Sequence, residues 1–333
     1  MTVMNSNKIE LTQKLLDWYD ENGRQMPWRF RGAAPNPYPV WISEIMLQQT
    51  TVVTVMDYFL RWMKHFPTLE SLAKADIDDV LHAWQGLGYY TRAKKLHECA
   101  CVLMDKYQGK FPTKREELLK LPGIGPYTAS SICAFAFNQP ETVVDGNVIR
   151  VVARLCGLMQ EVDKDIIYPL AQQLTSKTRG ADYASAIMDL GATVCKPQNP
   201  LCLSCPWNKN CIAAKQGIQN EVPKIKKLQK RKAHGAIFLA FDDKGALLLT
   251  KRDKGLLSGL FEFPWNIESV EPPFDEKWKK QGKKIHHVFT HIDYTADIYI
   301  AHNVKQTGLF VQPKNLKDYA LSTLMKKVVK AML

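Results

Sequence analysis

The sequence predicts a mainly α protein in two parts: an all-α region over residues 1–223 and a small α+β domain over 233–333, joined by a basic linker at 224–232. Three observations carry this. Apolar residues recur at helical spacing through the first two thirds of the chain, and an alternating, strand-like pattern takes over after residue 232. Four closely set cysteines near the end of the first part, and then a run of lysines, mark the change. At 333 residues, the chain is long enough for two or three domains.

Each element has its own signal. Ile77, Val80, Leu81 and Trp84 follow the i, i+3, i+4, i+7 pattern of a one-sided helix, and Val148, Val151, Val152 and Leu155 repeat it. Pro and Gly punctuate the short loops at Phe66-Pro67, Phe111-Pro112 and Leu121-Pro122-Gly123. A cysteine-rich loop spans 195–211. Beyond the linker, Ala233 to Phe241 and Ala246 to Thr250 read as strands. Ile292, Tyr294, Ala296, Ile298 and Ile300 alternate with Asp293, Thr295, Asp297 and Tyr299, which predicts a half-buried strand. A helix is expected near Leu321 to Met332.

Composition excludes some classes. Met1 to Glu10 is polar and lacks the apolar core of a signal peptide, and no apolar run approaches the ~20 residues that span a bilayer. A cytosolic, membrane-free protein is expected, in which eight cysteines point to metal ligation or core packing before disulfides. The net charge of +12 suggests an anionic partner, but six of those charges sit in Lys224 to Lys232. That segment reads equally as a solvated linker, so charge alone does not establish DNA binding.

Cys195, Cys202, Cys205 and Cys211 are separated by six, two and five residues. Zinc also accepts four cysteines, but structural zinc sites usually present two close pairs, and only Cys202 and Cys205 form one here. The wider spacing on either side suits a cubane cluster. The loop resembles the 4Fe–4S loop of the endonuclease III and MutY branch of DNA glycosylases. Cys99, Cys101, Cys133 and Cys156 lie in helical segments and read as core residues.

Leu121 to Ala129 joins two expected helices. Gly123 and Gly125 permit a tight turn whose backbone N–H groups, together with the next helix N-terminus, can hold a phosphate. An ordinary interhelical turn has the same composition. Breaking a purine N-glycosidic bond requires a proton for the leaving base and a negative charge beside the oxocarbenium-like sugar, roles that two carboxylates in different settings can divide. Glu44 lies in an apolar stretch whose burial raises a carboxyl pKa, although a Glu in a helix's first turn would look alike. Asp145 precedes a helix, where it reads as an N-cap that can also offer its second oxygen to a substrate.

Ser43 to Thr50, Gly86 to Tyr90, the Leu121 hairpin, Val144 to Asn147 and the cysteine loop occur together and in order over roughly residues 10–215, and as a set they resemble the MutY family. The resemblance implies a helix-hairpin-helix glycosylase domain with one 4Fe–4S cluster. It also implies removal of adenine from double-stranded DNA, opposite 8-oxoguanine or guanine, by a monomer that flips the base out. It casts Glu44 as the proton donor and Asp145 as the group that stabilises the sugar cation. Tyr127 and Asn147 become supporting residues, and Gln48 and Tyr89 become side chains inserted into the duplex. Leu87, Gly123 and Gly125 become DNA contacts, and Trp28 and Arg29 the rim of the adenine pocket. The loop from Gly32 to Pro39 is either an adaptation or a spacer.

Endonuclease III uses a lysine to form a Schiff base and cleave the strand, but Tyr127 stands at the matching position here. A hydrolytic glycosylase is therefore expected over a bifunctional glycosylase/lyase. Gly255 to Pro264 and Phe289-Thr290-His291 resemble the C-terminal Nudix-like domain of the same family, which implies that Thr290 and His291 read 8-oxoguanine. No R-E-x-x-E-E helix follows Pro264, so magnesium-dependent Nudix hydrolysis is not expected. A DNA-damage binder without catalysis is opposed by the presence of both Glu44 and Asp145.

Overall fold

A computed structural model describes residues 8–30, 36–224 and 229–333. Part of the 32–39 loop and the middle of the basic linker thus lie outside the described residues. The helices are α1 (Lys8–Asn22), α2 (Pro37–Leu47), α3 (Val52–His65), α4 (Leu69–Ala73), α5 (Ile77–Ala83), α6 (Thr91–Tyr107), α7 (Arg115–Leu118), α8 (Pro126–Phe137), α9 (Gly146–Cys156), α10 (Lys164–Gln172), α11 (Gly180–Asp189) and α12 (Ile212–Gln216). By packing, the chain divides into one unit of residues 1–71 with 99–226 and another of 72–98 with 227–333. The second unit thus takes in a helical stretch that the sequence reading assigned to the first domain.

In the first unit, Leu11, Leu15 and Tyr19 of α1 pack with Val148, Val151, Val152 and Leu155 of α9 and with Tyr183 and Ile187 of α11. Trp207, from the cysteine loop, enters the same core and donates its Nε1–H to Leu11 O at 2.8 Å. Helices α2 and α8 are apolar on every face and lie in the interior. They therefore carry whatever polar residues they hold into a buried setting. Asn36 caps α2, with its side chain accepting from the Tyr38 N–H, and Pro37 occupies the first turn, where its missing N–H costs nothing. Helix α11 runs on into a π-helical turn, Leu190–Val194, which ends as the Cys195 N–H donates to Leu190 O at 2.7 Å. Such wider turns favour functional segments.

The second unit contains β1 (Arg231–Ala240), β2 (Leu247–Lys251), β3 (Phe261–Glu262), β4 (Trp265–Asn266), β5 (Lys279–Val288), β6 (Ile292–Ala301), β7 (Leu309–Val311) and α13 (Thr323–Met332). Its sheets have strand orders β4-β1-β6-β5 and β3-β2-β7. The expected half-buried strand is β6, but it is central: it pairs in parallel with β1 and antiparallel with β5. Asp297, expected on a wetted face, is accordingly buried, with Lys280 Nζ at 2.7 Å. The edge strand β5 escapes sequence reading because lysines and histidines replace the alternating apolar pattern, a common protection of exposed edges. Residues 72–98 join this unit through polar contacts: Gln85 Nε2 donates to Tyr319 O and Leu321 O at 3.2 and 3.0 Å, and Lys94 Nζ donates to Ser258 Oγ at 2.9 Å. After Pro264 the chain forms short strand β4 and then turns, with no helix before β5.

Candidate active site

In the first unit, a cleft of about 790 Å³ is lined by Trp28, Arg29, Glu44, Gln48, Tyr127, Asp145 and Asn147, which come from four separate stretches of sequence. Glu44 sits eight residues into α2, so the first-turn alternative does not apply. The residue is 7 % exposed. Burial pushes its carboxyl up to about 7; the negative charge of Asp145 adds to this, while hydrogen bonds from Ser131 and Tyr127 and the charge of Arg29 oppose it. Tyr127 is raised well above the usual phenol range, first by burial and then by the charges of Glu44 and Asp145. Its hydroxyl remains a neutral donor against Glu44.

Asp145 takes the expected capping position at the start of α9. Oδ1 accepts the Val148 N–H at 2.8 Å and caps α9, while Oδ2 accepts Asn147 Nδ2 at 2.9 Å. Asn147 is itself held, its Oδ1 accepting Arg150 Nη2 at 2.7 Å. Arg150 also donates to Gly191 O and Cys195 O, each at 2.7 Å. Gly191 has to be glycine: a Cβ there would lie 2.6 Å from Asn147 Cβ.

Behind the lining residues Arg24 and Arg29 stands an aspartate that sequence reading missed. Asp189, fully buried, accepts Arg29 Nη1 and Nη2 at 2.7 and 2.9 Å and Arg24 Nε at 2.7 Å. These partners hold its carboxyl below the usual range against the opposing effect of burial, the largest single influence. Arg29 is thus clamped 160 residues away in sequence, a separation at which no local signal exists. Trp28 is buried and meets Phe59 edge-on, with ring centroids 5.1 Å apart. Lys164 also lines the cleft, its ammonium 5.5 Å from the Tyr127 ring centre.

The other expected DNA contacts divide. Gln48 caps α2 and donates to Thr128 Oγ1 at 3.2 Å, whereas neighbouring Gln49 is exposed at φ 63°, a left-handed backbone uncommon outside functional turns. Of the two, Gln49 is the better presented. Gly125 caps α8 ahead of Pro126, and Gly123 takes φ 74°, as a tight hairpin requires. Leu87 is buried at 5 %, so its side chain is core, whereas Tyr89 is 45 % exposed at φ 49°. Within the second unit, the hydroxyls of Tyr89 and Thr290 are hydrogen-bonded. Arg92 lies over both the Trp84 and Tyr89 rings, at 5.2 and 5.5 Å. Thr290 and His291 are exposed in the turn between β5 and β6, closed by the Phe289 N–H donating to Ile292 O at 2.8 Å.

The cysteine loop wraps the end of α9. Cys195, Cys205 and Cys211 pack against the same apolar core. Burial raises Cys205 to about 12 and also raises Cys202 and Cys211, and all three are pushed further by neighbouring cysteines of the loop. Thiols held up in this way are ligands whose ionisation a cationic centre favours, so the cysteine loop fits a metal cluster. Among the described residues, no group of three or more His, Cys, Asp or Glu is set to hold a single metal ion. Among them, too, no helix is long and apolar enough to cross a membrane.

A buried carboxyl raised to about 7 and a helix-capping aspartate share one cleft, and comparison with known proteins gives the class as base-excision DNA repair. Residues 42–177 match the HhH-GPD superfamily of base excision DNA repair proteins, and residues 236–331 match the NUDIX domain. The chain is 33 % identical to an adenine DNA glycosylase of Rattus norvegicus, over 95 % of this chain and 76 % of that one. It is 32 % identical to one from Buchnera aphidicola subsp. Schizaphis graminum, over 96 % and 97 % respectively. The chain belongs to the adenine DNA glycosylase family. Among solved structures, a thermostable thymine-DNA glycosylase aligns with TM-score 0.58 at 27 % identity, covering 64 % of this chain and 98 % of its own. A non-covalent endonuclease III–DNA complex, at 24 % identity and TM-score 0.55, covers 66 % of this chain and 100 % of its own and shares the fold.

Proposed function

We propose that this protein hydrolyses the N-glycosidic bond of adenine paired with 8-oxoguanine or guanine in duplex DNA, acting as a cytosolic monomer and without cutting the strand. One observation carries the reading: Glu44, poised at about 7, faces Asp145 across a single cleft. Near neutrality a substantial fraction of Glu44 is protonated and gives that proton to a purine ring nitrogen as the base departs. Asp145 is held by Val148 and Asn147 and supplies negative charge beside the sugar cation. Tyr127 orients Glu44 and offers no amine to the sugar. Trp28 and the clamped Arg29 form the wall against which a flipped base packs.

Gly123 and Gly125 support phosphate binding at the hairpin, and Gln49 and Tyr89, exposed at strained turns, are the candidates to fill the space that a flipped base leaves. Thr290, bonded to Tyr89, and His291 serve to read the opposite base. Cys195, Cys202, Cys205 and Cys211 would hold a 4Fe–4S cluster, which when bound supplies a rigid, redox-capable centre at the end of α9.

A strand-cleaving alternative has one observation in its favour, the Lys164 amine at the cleft. Incubating the full chain with duplex carrying A opposite 8-oxoguanine, with and without alkali, tests both. Base release with strand breakage only after alkali is expected. No base release refutes the main reading, and efficient breakage without alkali moves the function to a lyase with Lys164 as its nucleophile.

A further inference from the structure

We propose that Arg154 is the counter-ion and sulfur hydrogen-bond donor of the metal centre, setting its reduction potential. The inference rests on the reading of the four cysteines as cluster ligands. Arg154 is 2 % exposed, near the end of the helix that Asp145 caps. Its guanidinium is used all round: Nε donates to Val222 O at 2.9 Å, Nη2 to Pro197 O at 3.0 Å, and Nη1 to Lys196 O at 2.7 Å and to Cys195 Sγ at 3.3 Å. The Cys211 thiol lies 3.3 Å from the carbonyl of Arg154 itself, so one residue touches two of the four cysteines.

What distinguishes this arginine is that its guanidinium reaches a sulfur of the cysteine loop. The guanidinium of Arg29, by contrast, is matched by the carboxylate of Asp189. The polar partners of Arg154 are three neutral carbonyls and one sulfur. A guanidinium keeps its charge in any protein environment, and burying it among dipoles alone is costly. Cysteine binds metal as the thiolate, so with the cluster bound the Arg154 guanidinium would lie against a negatively charged sulfur. Hydrogen bonds to cluster sulfurs and nearby positive charge both favour the more reduced state, so Arg154 raises the potential of the centre.

The test uses the full chain purified with its cluster. Wild type should contain iron and acid-labile sulfide; if it contains neither, the ligand reading fails, and the inference with it. Given a loaded wild type, Arg154→Met and Arg154→Gln are compared by redox titration. At a fixed applied potential, the reduced-to-oxidised ratio should fall roughly tenfold in Arg154→Met, equivalent to about 59 mV for a one-electron couple. Arg154→Gln keeps an N–H donor without charge and should fall between. Unchanged ratios in loaded variants would overturn the proposal, because a purely structural role predicts altered loading without altered potential. Should neither variant load, wild type labelled with 15N-arginine decides. Pulsed EPR of its paramagnetic cluster should show coupling to a guanidinium nitrogen, and its absence overturns the proposal.

Discussion

Glu44→Gln separates what burial costs the fold from what it contributes to the chemistry. The Glu44 carboxyl lies at about 7 instead of 4.5, chiefly through burial. A carboxyl raised in this way holds its proton more tightly in the native state than in the unfolded chain. Its contribution to stability is therefore fully present below the unfolded value and disappears as pH rises through the native value. At 1.36 kcal/mol per unit, an interval of roughly 2.5 units amounts to about 3 kcal/mol, of which about 2 kcal/mol lies above pH ~5.5. Glutamine is nearly isosteric and does not titrate. Wild type should thus lose about 2 kcal/mol relative to Glu44→Gln between roughly pH 5.5 and pH 8, read from urea midpoints of both proteins at each pH. The same variant should excise adenine roughly 10²–10⁴-fold more slowly in single turnover near neutrality, because the proton donor is gone. Wild-type excision should decline as pH rises beyond 7, as the protonated fraction falls. A stability difference flat in pH across that window would refute the reasoning, since it would mean that Glu44 is not a buried acid protonated near neutrality.

Asp145→Asn should abolish most excision while leaving α9 intact, because asparagine caps helices about as well as aspartate and only the charge is lost. Single-turnover excision and duplex binding, measured side by side, check this. Asp189→Asn removes the charge that clamps Arg24 and Arg29 and should cost about 3–5 kcal/mol in denaturant unfolding, with a weakened KM for the duplex. Unchanged stability would show that the two arginines find other partners. Tyr127→Lys places an amine beside the cleft and should produce some strand breakage without alkali, scored on a denaturing gel. Thr290→Ala should cut the preference for A opposite 8-oxoguanine over A opposite guanine by about 1–3 kcal/mol. Tyr89→Phe should be non-additive with it if their hydroxyl contact shapes the reading loop.

Where a feature rests on contiguous residues, the sequence alone determined it. The cysteine loop, the Gly123–Gly125 hairpin and the aspartate that begins α9 are short-range devices: spacing and turn chemistry define them before any tertiary contact forms. The helices over 77–84 and 148–155 were legible for the same reason, since one apolar stripe sets their period. What only the tertiary structure decided depends on which distant groups meet and which side chains are left in water. Periodicity cannot say that Asp189 is fully buried against Arg24 and Arg29, or that Arg154 lies on Cys195. Nor can it show that Gln49 is exposed while Gln48 is half-buried, or that Leu87 is core and Tyr89 exposed, because these differ only in what packs against them. The second unit shows the limit most clearly. Alternation identified β6, but its neighbours β1 and β5 close over both edges and draw Asp297 inside, where Lys280 balances its charge. Glu44 brings both kinds of information together. Its apolar neighbours announced a buried carboxyl, yet its value near 7 arises because α2 and α8 enclose it and chain folding brings Asp145, a hundred residues away, to the same cleft.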